Sequence, residues 1–145
     1  MCTSLSPDHV PDPISDGHRV LVHATHRTDP VSGAWLPSPM ETVTIPDRLH
    51  FPGLLVVRME DASMEPVIRR HAFVGIDRRR TTLASGELYA LDIVPEGLVL
   101  IRVMVDTENR RYVLQSENGQ PPRHYPFAAP GLTSLGRVVW VIQEL

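Results

Sequence analysis

Apolar, β-branched runs recur at close spacing along this chain, at 18–24, 41–45, 54–59, 72–77, 87–93, 98–105, 112–115 and 137–143, and no stretch between them has the length or period of a ten-residue helix. Turn formers punctuate the runs at Gly86, Pro95-Glu96-Gly97, Asn109 and Pro121-Pro122. Short strands so arranged predict a mostly β fold. Only 47–50 and 63–70 read as short helical turns, the second with Pro66 near its start, where proline is tolerated. The best-defined unit is a hairpin over 87–105, in which Gly97 supplies the positive φ such a turn often needs and Tyr89 and Leu91 fall opposite residues of the 98–102 run. The final run, Arg137-Val138-Val139-Trp140-Val141-Ile142, is almost continuously apolar, so it is expected to be covered on both faces or paired with another chain.

A length of 145 residues suits one compact domain. Residues 1–17 are rich in Pro, Asp, Ser and Gly and poor in apolar side chains, and are expected to form a flexible arm ahead of a domain over 18–145. A formal charge of −3 supplies no general attraction for nucleic acid. The triplet Arg78-Arg79-Arg80 is a basic cluster directly after an expected strand, which either touches phosphate or is simply solvated. The first fifty residues lack the helical period of a DNA-reading helix-turn-helix, so direct DNA binding by this chain alone is not expected. Cys2 is the only cysteine, which excludes an internal disulfide and points to a reducing, cytoplasmic setting. No run approaches the roughly 18 apolar residues of a membrane-spanning helix, and the opening residues lack a basic-then-apolar leader pattern. No cofactor motif is present. The only paired histidines are His23 and His26, which a strand-then-turn context turns in different directions, so no metal site is expected.

The chemistry-bearing segment is Ser63-Met64-Glu65-Pro66. It is followed in order by Ile68-Arg69, a strand ending at Asp77, Gly86-Glu87-Leu88-Tyr89-Ala90-Leu91, Ser116 and Asn118 ahead of Pro121-Pro122, and Gly136-Arg137-Val138-Val139-Trp140. From about Val20 onward this series resembles the C-terminal domain of LexA and of temperate-phage repressors, the self-cleaving serine peptidases. The resemblance implies a twisted β-clip of the LexA and signal-peptidase type, with the serine at the mouth of a shallow cleft. It also implies that Ser63 holds the nucleophile position, that a lysine on a later strand takes its proton, and that the chain's own N-terminal part contains the scissile bond. The nearest counterpart to that bond, usually Ala-Gly, is Ser32-Gly33, 31 residues ahead of Ser63.

All fourteen basic residues are arginine. The lysine position falls on Arg102 if the hairpin loop has gained two residues, or on Ile101 if it has gained one. A buried amine can shed its proton, but a guanidinium stays charged in proteins, and holding one neutral at pH 7 costs about 8 kcal/mol. His71 is an alternative base by its ordinary pKa near 6.5. Asp61-Ala62 replaces the usual Gly-Asp before the serine, and Arg70-His71-Ala72 replaces the usual Asp-Gly-Asp turn after it. The plain reading of Ser63 is a helix N-cap.

Three functions are compatible with this pattern. The first is a catalytically inactive repressor-type domain that self-associates through 137–143 in transcriptional or SOS-type regulation. The second is an active self-cleaving peptidase with an atypical base. The third is a decoy that binds a related repressor or a recombinase filament. The absence of lysine favours the first and third.

Overall fold

The hairpin expected over 87–105 organises the molecule, because its two strands are buried on both faces. In the computed structural model, which describes residues 17–145, Glu87–Ile93 and Gly97–Asp106 pair antiparallel with Tyr89 opposite Ile101 and Leu91 opposite Val99. In chain order the strands are β1 (Gly17–His23), β2 (Pro39–Pro46), β3 (Leu54–Arg58), β4 (Phe73–Asp77), β5 (Glu87–Ile93), β6 (Gly97–Asp106), β7 (Arg111–Gln115), β8 (Arg123–Pro126) and β9 (Leu132–Ile142). They form one sheet in the order β2-β1-β3-β4-β9-β5-β6-β7-β8, antiparallel throughout except where β1 lies parallel to β3. The mostly β expectation therefore holds. The arm expected over 1–17 lies outside the described residues apart from Gly17, which opens β1.

Alternation along the hairpin feeds two hydrophobic cores. Ala90, Leu98 and Leu100 join Val57, Met64, Ile68, Val74 and Ile76 in one. Tyr89, Leu91, Ile93, Ile101 and Val103 join Leu114 in the other. The hairpin turn is sealed by the 24–38 connection: Leu98 N–H donates to Thr25 O at 2.8 Å, and Trp35 N–H donates to the Asp92 carboxylate at 3.0 and 3.1 Å. Gly97 has φ +96, and a Cβ there would stand 2.7 Å from Thr25 O, so both its backbone angle and its surroundings require glycine.

Three differences from the sequence expectations have physical causes. Strand β8 has no counterpart among the expected strands, because Arg-His-Tyr-Pro shows no apolar alternation; it is a polar edge strand closed by proline. Strand β9 begins at Leu132 rather than 137, since bulges at Ser134/Gly136 and Val138/Trp140 break the simple alternation that marks a strand in sequence. Residues 63–70 form successive turns instead of a helical segment. Only Ile68 N–H to Met64 O, at 2.8 Å, spans four residues there, and Pro66 has no N–H to extend the ladder. The shorter turn at Asp47–Leu49 forms as expected. No helix among the described residues is long and apolar enough to cross a membrane.

Candidate functional site

The loop between β3 and β4 presents Ser63. It is closed at its base by Met59 N–H to Ala72 O at 2.9 Å and His71 N–H to Met59 O at 2.7 Å. Met64 and Ile68, fully buried, anchor it to the first core. Its tip is held from the other side of the cleft: Ser63 O accepts Glu117 N–H at 2.9 Å and Asn118 N–H at 3.2 Å. The Ser116 hydroxyl and Gln120 N–H both donate to Asn118 Oδ1, which shapes that segment and gives the Ser116/Asn118 motif a structural role.

Ser63 does not cap a helix. Its hydroxyl donates to Asp61 Oδ1 at 2.6 Å, and its own N–H donates to the same oxygen at 2.9 Å. An acidic residue two positions before a serine is a recognisable Asx-turn pattern, so this contact has a signal in the sequence, one easily overlooked when Asp61 is weighed only as a departure from Gly-Asp. As a proton acceptor a carboxylate is poor, being a far weaker base than a lysine amine.

Beside Ser63 is a cleft of about 170 Å³ with Val99, Ile101 and Leu114 as its apolar lining and Asp61, Glu96 and Arg123 among its polar groups. Glu96 at the hairpin turn and Arg123 on β8 form a two-contact ion pair there, and Tyr125 accepts a further bond from Arg123 at 2.6 Å. That pairing, with Glu96 as its main cause, holds the Arg123 guanidinium above its ordinary pKa.

The two alternatives for the lysine position separate here. Ile101 lines the cleft and is buried in the second core. Arg102 points to the opposite face of β6, as alternation requires, where Nη1 donates to Gly86 O at 2.6 Å and Nε meets Glu117 Oε2 at 3.4 Å. It braces Glu117, whose N–H holds Ser63, but it does not line the cleft with the hydroxyl. Sequence reasoning could not choose between them because the number of residues gained in the hairpin loop is not readable from one chain.

The remaining candidates lie elsewhere. His71, with φ +75, lines a separate pocket with Arg69, Arg70 and Glu144. Ser32-Gly33 is held in a turn by Asp29, whose side chain accepts Val31 N–H and Ser32 N–H at 2.7 and 3.1 Å, and those two bonds lower the Asp29 pKa. A Cβ on Gly33 would stand 2.9 Å from Val94 Cγ1, so this pair sits against the hairpin turn and does not line the Ser63 cleft.

The arginine triplet is absorbed by structure. Arg78 donates to Gly53 O and Leu54 O at 3.1 and 3.2 Å, while Arg79 and Arg80 converge on the buried Asp77 carboxylate at 3.0 and 3.4 Å. The bond from Arg79 is the main cause that holds Asp77 below the usual carboxylate pKa. His23 packs edge-on against Trp35, and burial, reinforced by Arg78, lowers its pKa. Among the described residues no group of three or more His, Cys, Asp or Glu side chains is placed to hold a metal ion.

A family model described as Peptidase S24-like matches residues 36–139, most of the chain. Ser63, Ile101 and Arg102 fall inside the matched segment, and Ser32-Gly33 falls just ahead of it. No curated protein matches the chain.

Proposed function

Because this chain belongs to the Peptidase S24-like family, the family of the LexA and phage-repressor C-terminal domains, we propose that it is a self-associating regulatory module in which the peptidase step has been lost. The observation that carries this reading is Ile101. It lines the same cleft as Ser63, at one of the two positions on which the family's lysine falls, and an aliphatic side chain accepts no proton. With no lysine in the sequence, no other residue supplies a neutral amine side chain.

Self-association is supported by strand β9. One edge of Arg137–Ile142 pairs with β4, whereas pairing to β5 on the other edge stops at Arg137. Val139 and Ile142 are exposed on this stretch, at 38% and 37%. An apolar strand with one unpaired edge is a template for another strand, and a second copy turned about a two-fold axis offers the same segment antiparallel. Membership of this family is what supports the transcriptional or SOS-type part of the proposal.

Light scattering over a concentration series tests the association. We expect a dimer in the micromolar range that Val139→Glu weakens by roughly tenfold or more, because a charge placed in a pairing strand stays unpaired. A strictly monomeric parent chain at high micromolar concentration overturns this half of the reading. For the chemistry, prolonged incubation at raised pH is expected to leave the chain intact. Fragments that disappear in Ser63→Ala would show that the peptidase step survives.

A further inference from the structure

We propose that Asp61 is a second block on Ser63, independent of the missing base, and that it holds the serine unreactive even when a proton acceptor is supplied. This rests on the reading that the peptidase step is lost, and adds that an amine at position 101 is not enough to restore it.

One oxygen, Asp61 Oδ1, accepts both the Ser63 hydroxyl and the Ser63 N–H, at 2.6 and 2.9 Å. An attacking serine needs the first group free to pass its proton to a base. In many serine acyl transferases the second donates to the oxyanion that develops during attack. Here both are committed to a single anion. A negative charge this close also opposes the alkoxide character that builds on Oγ, because a like charge within about 4–6 Å disfavours ionisation. The backbone that carries the serine N–H is fixed on Asp61, since the Ser63 carbonyl is held by Glu117 and Asn118 and the adjacent Met64 is fully buried.

The test compares Ile101→Lys, Asp61→Ala and the double variant, with Ser63 reactivity read by a fluorophosphonate probe. In labelling, the Ser63 Oγ–P bond forms, the P–F bond breaks, fluoride leaves, and the hydroxyl proton passes to the introduced amine. The unchanged chain and Asp61→Ala are expected to label no faster than Ser63→Ala. Ile101→Lys alone should stay near that background, while the double variant labels roughly 100-fold faster, the scale of a general base acting with a freed oxyanion donor.

If Ile101→Lys alone labels as fast as the double variant, Asp61 is no block and the proposal is overturned. Rapid labelling of the unchanged chain at Ser63 would instead overturn the reading that the base is missing, so the two failures are distinct. Should the lysine variant not fold, Ile101→Ala with added propylamine supplies an amine to the same cleft. The contrast between Asp61 present and Asp61→Ala then decides in the same way.

Discussion

Gly75 lies against the indole of Trp140. The two are direct partners across β4 and β9, and a Cβ built on Gly75 would stand 2.2 Å from Trp140 Cε2 and 2.5 Å from Cδ2. The ring is not free to withdraw, because its Nε1–H donates to Leu49 O at 3.0 Å. This contact ties the final strand to the middle of the sheet and to the turn after β2.

Gly75→Ala is therefore expected to cost about 1–3 kcal/mol, the range for forcing extra volume into a packed site. Urea denaturation followed by tryptophan fluorescence measures it. A change inside about 0.5 kcal/mol, typical of an unconstrained surface site, would show that the indole yields easily.

Asp77 is the buried anion that gathers Arg79 and Arg80. Its pKa is lower in the folded chain than in the unfolded one, so its contribution is present above the unfolded value of about 3.9 and is lost as pH falls through the folded value. Asp77→Asn should cost about 1–3 kcal/mol at pH 7, where it removes hydrogen bonds to a charged group. The gap between variant and parent should narrow in denaturation curves taken below about pH 4. A gap that stays constant with pH would mean the carboxylate charge contributes nothing.

His23 shifts in a way that destabilises the fold on acidification. Burial lowers its folded pKa, so as pH drops through the ordinary value near 6.5 the unfolded chain takes up the proton first and stability falls. In His23→Gln the loss of stability between about pH 7.5 and 5.5 should be shallower than in the parent. Equal slopes would assign that pH dependence to the other histidines.

Arg102→Lys is expected to leave the chain uncut at raised pH, because a lysine there would follow the arginine toward Gly86 O and the Glu117 carboxylate, outside the lining of the Ser63 cleft. It should also lower stability by about 1 kcal/mol through the weakened bonds to those two groups. Recovery of self-cleavage in this variant, seen as two fragments on a gel, would place the proton acceptor at 102 and refute the assignment to Ile101.

The strands of the middle of the chain are legible because each carries its own apolar or β-branched run, and the hairpin is legible down to its pairing because Pro95-Glu96-Gly97 leaves little choice of register. Strand β8 is not legible: as a polar edge strand it has no face to bury, so it has no pattern to read. The 63–70 segment misleads for a different reason. Met64 and Ile68 have helical spacing, yet a single turn already places both in the core, and the rest of the loop is shaped by Asp61, Glu117 and Asn118 from outside it.

By itself the sequence settled that this is a mostly β chain with a serine in the family's motif and no lysine anywhere to activate it, since strand patterning is local and composition does not depend on folding. Only the tertiary structure showed that Ile101, and not Arg102, lines the cleft beside that serine, and that Asp61 occupies both of its donors. The reason is geometric. Neighbouring residues on a strand point to opposite faces, so an uncertainty of one residue in loop length reverses which side chain enters the cleft, and packing of the whole sheet is what removes it.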